Sequence, residues 1–215
     1  CKKVKRMGNS DSRSLNFWTL DEYKQFIQTM EPGTRYYLIF EMLFWTGCRI
    51  GELLAITKAD INFEKNQLSI NKTYYRTGMQ DIITEPKTKQ SFRTIEIPEF
   101  LKEEIKEFVD GHYGMPDTER LFPVVQEAVQ HKMKRQIELA GVKKIRVHDL
   151  RHSHVAYLIE KGVEPLLIRD RLGHKDIRIT LNTYGHLYPN QQRKIANLLD
   201  NENAVTGLGE ERDEC

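Results

Sequence analysis

Four stretches of the 215-residue chain hold side chains whose types and spacing suit chemistry on a single bound group. His148-Asp149-Leu150-Arg151 sets an imidazole and a guanidinium three residues apart, which at a helix start puts both on one face. Leu172-Gly173-His174 ends a short helical run on glycine, so the turn fixes the direction of His174. Tyr184 stands in Thr183-Tyr184-Gly185-His186, a phenol among small and polar neighbours instead of in an apolar stripe. Arg49 falls at the corner between two helical stretches, where packed elements can aim it. A guanidinium is a planar fork, always charged near neutral pH, that bonds two oxygens of an anion at once. An imidazole can donate or accept a proton near pH 7. Taken singly, each of these residues also has an ordinary role as a cap, a surface pair or a packing group.

His148 and His152 sit four residues apart, and with His154 they raise the question of a metal site. No cysteine or carboxylate cluster completes a ligand set, and Arg151 inside the group would repel a cation. His152, His154 and His186 are therefore read as packing or hydrogen-bonding residues.

Helical and strand periodicity supplies the elements that must position these groups. Thr19 with Glu22 forms a capping-box pattern that predicts a helix through about Thr29, broken at Gly33. Tyr37, Phe40 and Phe44 repeat at helical spacing from Thr34 to Thr46, Gly47 supplies a stop, and Ile50 to Ile56 restarts a helix. Between Gln67 and Ile97 the pattern turns to β-rich runs, Leu68 to Tyr75, Asp81 to Thr84 and Arg93 to Ile97. They predict a small three-stranded meander, with Pro86 to Ser91 as one turn. Helices are predicted near Glu99 to Gly111, Val125 to Ala140, Asp149 to Lys161, Pro165 to Leu172, Asp176 to Thr183 and Asn190 to Leu199. Mostly helix with one inserted antiparallel sheet gives an α+β fold class, not an alternating βαβ array.

Composition narrows the class. Apolar residues make up 39% and charged residues 30%, as in a globular protein. No apolar run reaches the ~18 residues of a spanning helix, so no membrane partner is expected. Cys1, Cys48 and Cys215 form no even disulfide framework, which suits a reducing cytoplasm. The net charge of +2 conceals an asymmetry, because residues 201–215 carry five acids and one base. The preceding 200 residues hold 32 bases against 26 acids, which favours a polyanionic partner. Residues 1–14 are expected to be a basic linker from a missing N-terminal DNA-binding domain, 15–200 the catalytic domain, and 201–215 an acidic, disordered tail.

Arg49 in TGCRIGELLAI, HDLRH at 148–152, LGH at 172–174 and Tyr184 stand in the order and spacing of the tyrosine recombinases. Over about residues 15–200 the chain resembles the catalytic domain of the phage-integrase type, most like integrases of phages and conjugative transposons. The resemblance implies that Arg49 and Arg151 clamp a scissile phosphate and that Tyr184 attacks phosphorus, leaving a 3′-phosphotyrosyl link and a free 5′-hydroxyl. It implies that His148 assists proton transfer at the nucleophile and that His174 donates a hydrogen bond to the phosphate. It also implies a hairpin lysine, Lys87 with Lys89 as second choice, as general acid for the leaving oxygen. Tyr188 is the local competitor of Tyr184.

The same resemblance implies no metal and no other cofactor. Its expected partners are double-stranded DNA at recombination sites and a homotetramer on that DNA, with the isolated chain a monomer. Accessory DNA-bending or excision factors are further expected partners. Residues 189–200, amphipathic through Ile195, Leu198 and Leu199, are the segment expected to pack against a neighbouring subunit or to dock on their own domain. A DNA-binding module without catalysis, and a type IB topoisomerase-like strand transferase, are the alternative functions.

Overall fold

A computed structural model of the chain describes residues 16–85, 91–112, 114, 116–188, 196–197 and 199–201. The first helix, α1 (Leu20–Ile27), opens with the capping box its sequence predicts, Thr19 and Glu22 satisfying each other's backbone N–H groups. Its inward face buries Tyr23, Phe26 and Ile27. Helix α2 (Arg35–Thr46) is apolar nearly all round and buries seven consecutive residues from Leu38 to Phe44, as a central helix must. Tyr23 stacks on Phe44 with ring centroids 3.7 Å apart, which ties α1 to α2. Gly47 ends α2 in the left-handed conformation, φ 66°, and α3 (Ile50–Leu53) restarts at once.

Five short strands follow: β1 (Ile61–Asn62), β2 (Gln67–Ile70), β3 (Thr73–Thr77), β4 (Gln80–Thr84) and β5 (Arg93–Glu96). They form two antiparallel sheets, β1-β2-β5 and the hairpin β3-β4. The α+β class holds, with the strands partitioned differently from the expected meander. The run Leu68 to Tyr75 is broken in the middle because Asn71 and Lys72 turn their side chains onto Asp60 instead of extending a ladder. The first half then pairs with β5, Leu68 opposite Ile95, and the second half pairs with β4, Tyr74 opposite Ile83. Strand β1 went unexpected because two residues carry no period.

Helices α4 (Glu99–Asp110), α5 (Gln126–Ala140), α6 (Asp149–Glu160), α7 (Pro165–Leu172) and α8 (Ile177–Tyr184) stand within a residue of their predicted bounds. Residues 196–197 and 199–201 are helical, and most of the predicted helix 190–199 lies outside the described residues. The same holds for the basic linker and nearly all of the acidic tail.

The main core runs from Trp18 to Leu150 around α2. A smaller cluster, Val155, Ile159, Ile168, Leu172 and Tyr184, packs separately between α6, α7 and α8. At roughly 1.5–3 kcal/mol for each fully buried large side chain, this second cluster anchors α8 with far less free energy than the main core gives α2. Among the described residues no helix is long and apolar enough to cross a membrane.

Candidate active site

Two helix ends create the site. Helix α2 stops at Gly47 and α7 stops at Gly173, φ 67°, and both terminate in carbonyls that have no partner within the helix and carry the partial negative charge of a helix C-terminus. Arg151, on the first turn of α6 and only 3% exposed, donates from Nη1 to the Gly47 carbonyl and from Nη2 to the Leu172 carbonyl, each at 2.8 Å. Arg93 donates from Nε to the Arg171 carbonyl at 2.8 Å, and Arg171 donates to the carbonyls of Trp45 and Glu96 at 3.0 Å each. Three guanidiniums are thus held by backbone oxygens. Burial, then the charge of Arg49, lowers Arg151 to about 10, which leaves it cationic at neutral pH.

Glu52 supplies the local counter-charge. Its carboxylate accepts the Arg49 backbone N–H at 2.9 Å, Arg49 Nη1 at 2.7 Å, and Arg93 Nη1 and Nη2 at 3.3 and 2.8 Å. Burial alone would raise this carboxyl, but the hydrogen bonds and charge of Arg93, with those of Arg49, outweigh it and hold it down to about 2. Arg49 keeps its side chain 41% exposed, and among the described residues its other side-chain N–H groups have no protein acceptor. Arg49, Arg93 and Arg151 against one carboxylate leave two surplus positive charges, a setting for a phosphate gaining negative charge.

Three imidazoles border this cluster. His174 bonds through Nδ1 to Thr180 Oγ1 at 2.9 Å, and burial, then the charges of Arg151 and Arg49, push it down to about 4. His148 lies exposed on the rim, and partial loss of water, then Arg151, lower it. His152 is lowered by burial and then by His148, whose ring meets it edge-on at 5.4 Å. All three stay neutral near pH 7 and can accept or donate a hydrogen bond.

Tyr184 ends α8 with 2% of its surface exposed, and its hydroxyl lies 2.6 Å from His152 Nδ1. Burial pushes the phenol up to about 12, and Arg151 pulls in the opposite sense, so the two groups lie within each other's electrostatic reach. Tyr188 is turned away, its hydroxyl 3.4 Å from the Val163 carbonyl.

The structure therefore gathers Arg49, His148, Arg151, His174 and Tyr184 around one charge cluster, while Lys87 and Lys89 lie outside the described residues. Sequence reading missed Glu52, Arg93 and Thr180. Glu52 had a signal, its i,i+3 spacing from Arg49, whereas Arg93 reads as an ordinary strand residue. Gly47 also has a steric duty, because a Cβ there would lie 2.5 Å from Cδ2 of His154.

A sequence profile described as the phage integrase family matches residues 16–191. The ICEBs1 integrase of Bacillus subtilis is 32% identical over 214 residues, covering 93% of this chain and 58% of that protein. A tyrosine recombinase XerC-like protein of Caldanaerobacter subterraneus is 30% identical, covering 84% of the chain and 53% of its own length. The solved Tn1549 transposon integrase, in complex with a circular intermediate DNA, superposes with a TM-score of 0.74 at 20% identity, over 94% of this chain and 70% of that one. At that identity the likeness is one of fold. The chain spans somewhat more than half the length of the two curated relatives.

Proposed function

The chain belongs to the phage integrase family, and we propose that it cleaves and rejoins double-stranded DNA by site-specific recombination, integrating or excising a mobile element. The observation that carries this reading is the position of Tyr184, a lone phenol bonded to a neutral imidazole within the field of Arg151, beside the surplus-positive cluster of Arg49 and Arg93. Arg49 and Arg151 bind two oxygens of one phosphate and stabilise the charge that grows in the pentavalent transition state. His174, aimed by Gly173 and Thr180, donates a hydrogen bond to that phosphate, and His148 assists proton transfer from the rim. Tyr184 attacks phosphorus, the 5′-oxygen departs with a proton from Lys87, and the 3′-phosphotyrosyl link conserves the bond for rejoining to another 5′-hydroxyl.

The proposed partners are DNA at recombination sites, four protomers on two duplexes, and accessory factors that bend DNA or direct excision. The segment 189–200 is the proposed subunit contact, with a basic linker before residue 15 and an acidic tail after residue 200. Incubation with a pool of nicked duplexes, randomised in sequence around the nick, tests the reading. Protein joined to DNA 3′ ends through denaturing electrophoresis supports it, and four-way junctions formed from the enriched sequence favour a recombinase over a topoisomerase. Reversible binding alone would overturn it in favour of a DNA-binding module.

A further inference from the structure

On the reading just proposed, the attacking phenol must lose a proton to a group within hydrogen-bond reach. We propose that His152 is that group: its Nδ1 receives the Tyr184 proton as the phenolic oxygen attacks phosphorus, and returns it on rejoining. The geometry carries the inference. Tyr184 Oη and His152 Nδ1 are 2.6 Å apart, within ordinary hydrogen-bond length, with the rings at 5.6 Å and 55°. Among the described residues the Tyr184 hydroxyl has no other hydrogen-bond partner, and in the tautomer of His152 that carries its proton on Nε2 the phenol donates to Nδ1.

His152 is also rigidly placed. It follows Arg151 on α6, and Arg151 is pinned by two carbonyls, so phosphate clamp and proton acceptor ride on one turn of helix. Arg146, His148, Asp149 and Arg151 face the ring from α6 and the turn before it, and Tyr184 faces it from α8. Burial, then the neighbouring charges, keep the ring neutral, ready to accept. A bound phosphodiester adds negative charge beside Arg151 and favours the imidazolium, so proton transfer is coupled to substrate.

The step balances without an added reagent. The Oη–H bond breaks as Oη–P forms, the proton moves to Nδ1, the P–O5′ bond breaks, and the leaving oxygen takes a proton from the lysine donor proposed above. His148 remains on the rim, where it supports His152 through their edge-on contact.

Single-turnover adduct formation on a nicked duplex, followed from pH 5.5 to 9 for the intact chain, His152→Ala and His152→Gln, tests the proposal. Both variants should lose about 10²–10⁴-fold in rate while DNA affinity stays within about twofold. The acid limb of the intact chain should vanish in His152→Gln, whose side chain accepts a hydrogen bond but does not titrate. Unchanged rates, or a uniform fall with the acid limb preserved, overturn the assignment. In Tyr184→Phe, imidazole NMR should show the His152 pKa rising, because the lost hydrogen bond favours the neutral ring, and an unmoved value denies the contact. An intact chain that forms no adduct on any duplex overturns the recombinase reading and the proton transfer with it. Loss confined to the His152 variants concerns His152 alone.

Discussion

Arg93 and Glu52 face each other as a buried fork, 2.8 and 3.3 Å between their charged atoms, joining β5 to α3 with about 5% of either side chain exposed. The pair orders the site from behind, since the same carboxylate also orients Arg49. Glu52→Ala leaves the Arg93 guanidinium buried and unpaired, and should cost about 3–5 kcal/mol of unfolding free energy in urea titration. The pH sign follows from a folded value of about 2 against roughly 4.3 in the unfolded chain. The pair's stabilisation is fully present above pH ~4.3 and is lost as pH falls toward 2, a loss that Glu52→Gln should not show.

His154 is buried beside Arg171 and accepts its Nε–H at 3.1 Å; burial, then the Arg171 charge, push it down to about 3. An unfolded histidine titrates near ~6.5, so the unfolded chain binds the extra proton and stability must fall as pH drops below ~6.5 toward 3. Urea midpoints measured between pH 7.5 and 5 should decline for the intact chain. In His154→Gln the slope should correspond to roughly one proton fewer, about 1.4 kcal/mol per pH unit.

Gly47 and Gly141 have nearly the same backbone, φ 66° and 67°, and different surroundings. A Cβ at Gly47 meets His154 at 2.5 Å, whereas one at Gly141 meets nothing within 4 Å. Gly141→Ala should therefore cost only the left-handed strain, ~1–2 kcal/mol, and Gly47→Ala a further ~1–3 kcal/mol for overpacking. Differential scanning calorimetry of the two variants should show the larger fall in Tm at Gly47.

Arg151→Lys keeps a charge but cannot reach the Gly47 and Leu172 carbonyls and a phosphate together, because an ammonium has no planar fork. Adduct formation should drop by ~10²–10³ with DNA binding reduced only several-fold, read by single-turnover cleavage and fluorescence anisotropy.

Much of this architecture is written in local patterns. The Thr19–Glu22 capping box, the glycine stops at 47 and 173 and the span of α7 are decided by neighbouring residues, and each is legible from spacing alone. The sheets were harder, since the break at Asn71-Lys72 depends on Asp60, eleven residues earlier. At the site, the order of Arg49, His148, Arg151, His174 and Tyr184 was visible, while the supports were not. His152 lies next to Arg151 in sequence, and residues one apart on a helix face different ways. Its spacing of four from His148 marked a shared face, but only the packing of α8 on α6 brings Tyr184 to it. Arg93 likewise gains its meaning from Glu52, 41 residues earlier.

The identity of the nucleophile is tested most directly by incubating the intact chain and Tyr184→Phe with the same nicked duplex and resolving the products under denaturing conditions. The intact chain should carry DNA through a 3′-phosphotyrosyl bond and Tyr184→Phe should carry none, with equal DNA binding by the two. A covalent adduct that persists in Tyr184→Phe would contradict the account.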